Sequence, residues 1–292
     1  MYELIKLTEN DYYIDCPSKI GVVYTGGGRA VFIDSGNDSD AAKKALRAIG
    51  EKGWELEGVF CTHSHADHIG GCAYLESKTG CGVFANALEV DFANHTVLEP
   101  IALMGGCPLE AVSNKFFIAK PSRARQFTDS DLPDGMKAID LCGHSPDMAG
   151  YMTKDGSAYI GDCVASRETL EKYGIAFLYD VEKSLRSLEY IKTLEASRFI
   201  ASHAPVCEDI KELANINISA INRVADTVVS LLSSPMIFEE LLAGLFRAYS
   251  LNANASQYAL IGSTLRSYLA YLSENGRASF DFIDGKMIWR VN

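Results

Sequence analysis

The chain has 292 residues, of which 48% are hydrophobic and 22% charged, a composition typical of a folded globular protein and not of a disordered one. Its net charge of −11 disfavours a general binder of nucleic acid or of anionic membranes, because phosphate binding needs a basic surface. Only six histidines are present, so their positions are informative.

The cysteine pattern and the first residues bear on the compartment. Eight cysteines are scattered along the chain and none forms a Cys-x-x-Cys pair, which argues against a zinc knuckle and a thioredoxin-like motif. In a chain this long, eight cysteines do not make a disulfide scaffold. The segment 1–6 lacks the basic and apolar regions of a signal peptide, and no run approaches the ~18 apolar residues of a membrane helix. We therefore expect a cytoplasmic protein with reduced cysteines.

Strand-like and helical patterns alternate in the first part of the chain. Up to residue 85 the pattern predicts strands at 20–24, 30–33, 58–61 and 82–85, and a helix from about 40 to 50. The triplet Gly26-Gly27-Gly28 lacks the Gly-Lys-Ser/Thr end of a phosphate loop and opens no helix, so we interpret it as a hairpin turn. This alternation predicts an α/β layered architecture.

The remaining elements follow an irregular segment at about 86–128, which holds a basic cluster of Lys120, Arg123 and Arg125. The pattern then predicts strands at 137–141 and 158–160, helices at 181–195, 208–232, 237–249 and 257–272, and strands at 279–283 and 286–291. The last two strands flank Asp284-Gly285, a strong signal for a two-residue hairpin. Helices followed by a hairpin resemble a winged helix, so we predict a catalytic domain at 1–206 and a helical, winged-helix-like domain at 207–292.

A histidine-rich loop follows the strand at 58–61. Three histidines and an aspartate lie within six residues, as His63, His65, Asp67 and His68. Imidazole and carboxylate are ligands for zinc, iron and manganese. Neighbouring side chains on such a tight loop point to different sides and cannot easily all face one ion. The loop therefore indicates two adjacent ions, whose further ligands come from elsewhere in the chain.

Three further candidate ligands each follow a strand-like run. They are His144, Asp162 and His203. The carboxyl ends of strands open onto loops, which is where α/β folds place their ligands. Each residue is a weak signal alone, but together with the histidine-rich loop they reinforce one another.

The order of these motifs resembles the metallo-β-lactamase superfamily, in particular its glyoxalase II-like hydrolases with an HxHxDH loop. The segments that carry the resemblance are Thr62–Gly71, Gly143-His144, Gly161-Asp162, His203 and the strand that ends in Asp34-Ser35-Gly36. The resemblance spans about residues 1–206. It implies an α/β fold, a four-layer αββα sandwich, with a binuclear site at one edge of its two sheets.

The resemblance also implies roles for the candidate residues. Two divalent ions share seven ligands, with His63, His65 and His144 on the first ion, Asp67, His68 and His203 on the second, and Asp162 bridging them. Asp67 is in addition the candidate catalytic residue, since it would orient the nucleophile or carry a proton. Asp34 would orient ligands and not bind metal. His95 falls outside the pattern, either at the surface or at the substrate entrance.

Zinc is the first choice of metal, with iron and manganese as alternatives. Two such ions can share a bridging hydroxide, which would attack an ester-like carbonyl or a phosphorus. We therefore expect a binuclear metal-dependent hydrolase of a small thioester, ester or lactone that uses a metal-bridging hydroxide.

Comparison among family members narrows this expectation. Glyoxalase II-like thioesterases carry a further CGHEYT-like glutathione-binding segment that this sequence lacks, which puts glutathione specificity in doubt. Zinc β-lactamases of the commonest type have a cysteine where this chain has Asp162, and flavodiiron oxidoreductases have a glutamate where it has His65. N-acyl-homoserine lactonases keep similar ligands but usually lack a winged-helix tail.

The alternative is a metal-dependent nuclease or phosphodiesterase acting on RNA or nucleotides, since nuclease members use the same loop and some carry a small C-terminal domain. From Cys207 onward the chain has seven basic and nine acidic residues, so its composition gives no basic recognition face. A nuclease would therefore need a local basic groove, for instance near Lys120 and Arg123. A non-enzymatic metal-dependent sensor is also conceivable, but the complete ligand set argues against it.

The expected partners follow from these hypotheses. We expect a small-molecule substrate and no membrane, and we regard nucleic acid as disfavoured. The C-terminal segment has three readings, as a nucleic-acid binder, as a lid over the site, or as a packing and dimerisation module. Its apolar helices favour the third, so a homodimer stays open.

Overall fold

Seven strands form the first sheet of the computed structural model, which describes residues 2–292. In chain order they are β1 (Glu3–Lys6), β2 (Asp11–Asp15), β3 (Ile20–Gly26), β4 (Arg29–Ile33), β5 (Glu55–Phe60), β6 (Gly82–Ala85) and β7 (Arg125–Gln126). The first four strands pair antiparallel, which confirms the hairpin turn at the glycine triplet. From β4 to β7 the strands run parallel. The carboxyl ends of β4 and β5 therefore lie side by side.

Four strands form the second sheet. They are β8 (Lys137–Asp140), β9 (Ala149–Met152), β10 (Ser157–Gly161) and β11 (Arg198–Ala201), in the spatial order β11-β10-β9-β8. β9 is antiparallel to both of its neighbours, whereas β10 and β11 are parallel. As a result, β8, β10 and β11 end at the same edge of the sheet.

Helices cover the outer faces of both sheets. Up to the end of the second sheet they are α1 (Ser39–Gly50), α2 (Ala66–Ile69), α3 (Cys72–Thr79), α4 (Ala87–Asn94), α5 (Leu98–Met104), a 3₁₀ turn (Glu110–Val112), α6 (Arg167–Tyr173) and α7 (Val181–Ile191). The start of α1 is set by Asp38, whose carboxylate accepts hydrogen bonds from the backbone N–H groups of Asp40 and Ala41.

Three buried clusters show how the layers stack. Phe60 of the first sheet and Tyr159 of the second lie in the cluster between the sheets. A second cluster packs α1 and α3 against the outer face of the first sheet. A third packs α7 and later helices against the outer face of the second sheet. This stacking confirms the predicted αββα sandwich.

The C-terminal part adds three helices and a small sheet. Its elements are α8 (Lys211–Leu231), β12 (Met236–Ile237), α9 (Phe238–Ala248), α10 (Ala255–Glu274), β13 (Ala278–Ile283) and β14 (Lys286–Val291). β13 and β14 form the predicted hairpin around Asp284-Gly285, with β12 added to its edge. The assignment of this part as a winged-helix-like domain and its boundary at residue 206 stay predictions. The homodimer also stays a prediction.

The C-terminal helices share the core of the second sheet. Leu245 of α9 and Leu265 of α10 belong to the same buried cluster as Leu188 of α7 and Phe199 of β11. Burial of these side chains stabilises the packing of α9 and α10 against α7 and the second sheet. Across residues 2–292, no helix combines the length and the apolar character needed to span a bilayer.

Candidate metal centre

All seven predicted ligands lie together at one edge of the sandwich. The loop after β5 carries His63 and His65, and the short helix α2 that follows carries Asp67 and His68. Both face the loops after β8, β10 and β11, which carry the other three. The parallel run of the strands produces this convergence, because it brings their carboxyl ends to one edge.

The first group consists of His63, His65 and His144. Nδ1 of His65 lies 3.0 Å from Nε2 of His63 and 2.9 Å from Nε2 of His144, so three ring nitrogens converge on one point. Burial and the neighbouring imidazoles lower the pKa of His63 well below its ordinary value and that of His144 to about 3. The rings are therefore neutral at pH 7, as metal ligands must be.

The second group consists of Asp67, His68 and His203. Oδ2 of Asp67 lies 3.0 Å from Nε2 of His203 and 3.5 Å from Nε2 of His68. Burial alone would lower the pKa of His68, but Asp162, Asp67 and Asp34 outweigh that effect and raise it well above its ordinary value. The negative potential of these carboxylates stabilises a positive charge at the buried ring, and a divalent ion bound there would supply that charge.

Asp162 lies between the two groups. Its oxygens are 3.4 Å from Nε2 of His68, 3.6 Å from Nε2 of His144 and 3.4 Å from Nε2 of His203. Oδ1 is buried and has no hydrogen-bond partner in the part of the chain that the structure describes. An unsatisfied buried carboxylate oxygen is costly, and a metal ion would satisfy it. The seven side chains thus fit a pair of ions in their chemistry as well as their placement.

Backbone carbonyls fix two of the rings. Nδ1 of His144 donates to the carbonyl oxygen of Phe177 at 3.2 Å, and Nδ1 of His203 donates to that of Pro17 at 2.9 Å. A carbonyl only accepts, so the proton lies on Nδ1 and the Nε2 lone pair faces the centre. Sequence reasoning missed both partners, because any residue type can supply a backbone carbonyl.

Asp34 fixes two more rings. Its carboxylate accepts hydrogen bonds from Nδ1 of His68 at 2.8 Å, from the Thr62 hydroxyl at 2.8 Å and from the Thr62 backbone N–H at 2.7 Å. Because that hydroxyl donates to Asp34, it accepts from Nδ1 of His63 at 3.0 Å. Asp34 thus holds His68 directly and His63 through Thr62, on the side of each ring away from the centre, as expected for a residue that orients ligands.

A tight turn places His144. Gly143 has φ +134°, and a Cβ on it would collide with the backbone of Ser184 in α7. Its carbonyl accepts from the N–H groups of Tyr179 and Asp180, both at 2.9 Å. The loop after β8 therefore lies directly against the start of α7, which only glycine allows.

Glu89 on α4 is a positioning residue that sequence reasoning missed. Its buried carboxylate accepts from the backbone N–H of Ser64 at 2.9 Å and from its hydroxyl at 2.5 Å. It also accepts from the Ser145 hydroxyl at 2.7 Å and from the Asp147 N–H at 3.0 Å. Glu89 thereby ties the loop of His63 and His65 to the loop of His144. A lone glutamate in an irregular segment gives no sequence signal for this role.

Replacing Glu89 by glutamine is expected to weaken metal binding by about 10- to 100-fold, since the new NH₂ group would face donors instead of accepting from them. Competition with a chromogenic chelator measures the affinity. The matched control is E171Q, because Glu171 is exposed on α6. Wild-type affinity in E89Q would show that this network does not position the ligands.

Two cavities meet at the centre. An apolar cavity of about 450 Å³ opens beside Asp67, His144, Asp162 and His203. A second cavity of about 660 Å³ shares Asp67 and His203 with it and has Lys115 and Lys120 in its wall. His95 is exposed at the end of α4 and lines neither cavity, so it is a surface residue and not part of this entrance.

The basic cluster of the irregular segment is largely neutralised. Nε of Arg123 lies 3.0 Å from a Glu76 oxygen, and Nη2 of Arg125 lies 2.8 Å from an Asp131 oxygen. Exposed ion pairs of this kind contribute little to stability, but they reduce the positive field available to a phosphate backbone. The local groove that a nuclease would need is weakened accordingly.

Known proteins resemble this chain in fold and in part of its sequence. A metallo-beta-lactamase family protein from Thermus thermophilus superposes with a TM-score of 0.72 at 19% identity, covering 96% of this chain and 97% of that one. A beta-lactamase domain protein from Burkholderia ambifaria gives 0.76 at 17%, covering 99% and 94%. At these identities the likeness shows the fold alone.

Curated relatives share a shorter stretch. A hydroxyacylglutathione hydrolase from Albidiferax ferrireducens is 27% identical over 186 residues, which cover 62% of this chain and 60% of that protein. One from Rhodopseudomonas palustris is 46% identical over 48 residues, 16% of this chain and 19% of that protein. The chain thus spans less than two thirds of these relatives. The sequence model of the metallo-beta-lactamase superfamily matches residues 13–203, which include all seven candidate ligands. The chain belongs to the metallo-β-lactamase superfamily.

Proposed function

We propose that this protein is a hydrolase of small thioesters, esters or lactones that works with two divalent ions, zinc first among them. The observation that carries the proposal is the carboxylate of Asp162, which lies 3.4 to 3.6 Å from imidazoles of both groups and whose buried Oδ1 has no hydrogen-bond partner within the described chain. One group offers three neutral imidazoles and the other a carboxylate and two imidazoles, which suits two ions better than one.

When bound, the two ions would lower the pKa of a water they share and polarise the oxygen of the scissile carbonyl. Asp67 is the residue of this chain best placed to orient that water. Its side chain is 43% exposed at the mouth of both cavities, whereas His68 beside it is fully buried. His68 and His203 hold the pKa of Asp67 well below its ordinary value against the effect of burial. The carboxylate is therefore ionised and can orient an attacking water by accepting a hydrogen bond from it, whereas its lowered pKa makes it a weak proton acceptor.

Hydrolysis of a carbonyl ester fits the walls of the site better than hydrolysis of a nucleic acid. The described lining of the apolar cavity contains no Lys or Arg. Of the three basic residues at 120–125, two are paired with carboxylates. The relatives named hydroxyacylglutathione hydrolase support a thioester substrate. The phosphodiesterase alternative is favoured only by Lys115 and Lys120 in the second cavity.

Parallel assays of the metal-loaded protein test this choice. We expect kcat/KM for acyl thioesters, aryl esters or lactones to exceed that for bis-(p-nitrophenyl) phosphate by at least about 10²-fold, because the apolar cavity beside the centre offers no Lys or Arg to a phosphodiester. The matched control is the same panel after chelation and removal of metal. A phosphodiester or RNA substrate turned over faster than all carbonyl esters would reverse the assignment.

A further inference from the structure

We propose that the apolar cavity beside the metal centre binds a straight aliphatic acyl chain, so that the substrate is a medium-chain acyl thioester, ester or lactone. The inference rests on the proposed function for turnover, whereas binding of the chain can be tested without turnover. Four metal-centre residues, Asp67, His144, Asp162 and His203, line the mouth of this cavity. An acyl group held in it would therefore present its carbonyl carbon to the centre.

Helices on both sides of the predicted domain boundary build the wall. Its apolar part includes Val164, Leu188 of α7, Ile221 and Val224 of α8, and Ile261 and Tyr268 of α10. All six side chains are buried within the core of the second sheet. The C-terminal helices thus form the back of the active-site cavity, and packing against the core keeps this wall rigid.

The entrance to the cavity is aromatic. The ring of Phe177 lies edge-on to His65 and His144, with centroid distances of 5.5 and 5.8 Å. Its carbonyl holds His144, so its position is fixed with that of the ligand. A chain leaving the metal centre would pass this ring on its way inward, which excludes water from the acyl group.

The chemistry of the wall excludes charged occupants. Apart from the four metal-centre residues, the described lining contains no Lys, Arg, Asp or Glu. Several of its polar side chains are already bonded within the protein. Asn217 exchanges hydrogen bonds with the backbone of Ala165, and Ser187 donates to the carbonyl of Cys142. A glutathionyl or nucleotide group would lose its hydration here and find no charged partner beyond the metal centre, whereas an alkyl chain gains from leaving water.

The size of the cavity indicates the length of the chain. Protein cores contain few voids larger than a water molecule, so a space of about 450 Å³ is large for a packing defect. The volume of a methylene group is about 30 Å³, similar to the volume per molecule in liquid water. With incomplete filling, the space suits a chain of about six to twelve carbons, and each methylene buried is expected to improve binding by up to about fourfold.

Calorimetric titration of the metal-loaded protein with butanoate, octanoate and dodecanoate tests the inference. We expect the Kd of octanoate to be at least about tenfold lower than that of butanoate. The variant A220F places a ring in the cavity from α8 and should remove this gain, and I261F should do the same from α10. The matched control A243F changes an exposed alanine of α9 and should keep the wild-type series. Thermal unfolding of each variant verifies that it is folded.

The same proteins are assayed with acetyl and octanoyl thioesters of one thiol. We expect wild type and A243F to prefer the octanoyl thioester, and A220F to lose that preference. Binding that does not depend on chain length overturns the acyl site, whatever is hydrolysed. Chain-length-dependent binding that A220F abolishes supports the acyl site even without turnover, and in that case only the proposed function fails.

Discussion

Replacing Asp67 by asparagine is expected to lower kcat for a thioester by at least about 10³-fold. Asparagine has nearly the same shape but lacks the negative charge with which Asp67 would orient the attacking water, and positioned groups of this kind typically contribute about 10²- to 10⁴-fold. It would also weaken the second group of ligands, since the carboxylate contacts His203 at 3.0 Å. Steady-state kinetics at saturating metal measures the loss.

The control for D67N is D129N, because Asp129 is exposed and lines neither cavity. We expect D129N to retain wild-type kcat. If D67N kept kcat within about threefold of wild type, Asp67 would have no catalytic role, and another group at the mouth of the cavities would have to orient the water.

Replacing Asp162 by alanine is expected to reduce the metal content from about two ions per chain to about one or fewer, and kcat by at least about 10³-fold. Asp162 is the only proposed carboxylate ligand that contacts histidines of both groups, at 3.4 to 3.6 Å. Without its carboxylate the ions lose their shared ligand and the charge that balances them.

Elemental analysis of D162A after dialysis measures the content, and circular dichroism verifies the fold. D129N serves again as the matched control, with the wild-type metal content expected. A D162A protein that holds two ions per chain and turns over normally would exclude a bridging role for this residue.

Much of the metal centre could be predicted because its residues carry local signals. His63, His65 and His68 lie within six positions, so their chemistry stands out without any knowledge of the fold. The strand at 82–85 coincides with β6, and Asp284-Gly285 forms the hairpin turn. These elements are specified by short-range pattern, namely β-rich runs and a two-residue turn sequence.

The features that escaped prediction depend on contacts between distant segments. The irregular segment 86–128 contains α4 and α5, and α4 was missed because its buried face includes the charged residue Glu89. The carbonyls of Pro17 and Phe177 hold ligands without any residue-type signal. Contacts of this kind are specified by the tertiary fold and not by local sequence.

The role of the C-terminal helices shows the same limit. Their apolar residues favoured a packing or dimerisation module over a lid, and the packing itself is evident in the shared core with β11. Yet Ile221 of α8 and Ile261 of α10 also line the cavity beside the metal centre. A residue in a helical apolar stripe looks the same in sequence whether it faces a filled core or a binding cavity.

Titration of metal-free protein with zinc, followed by thioester hydrolysis and by direct measurement of bound metal, tests the central claim. If two ions share Asp162, activity should rise until about two equivalents are bound and should fall again when a chelator removes them. Full activity in metal-free protein, or a maximum at one equivalent that a second ion leaves unchanged, would contradict a binuclear hydrolase.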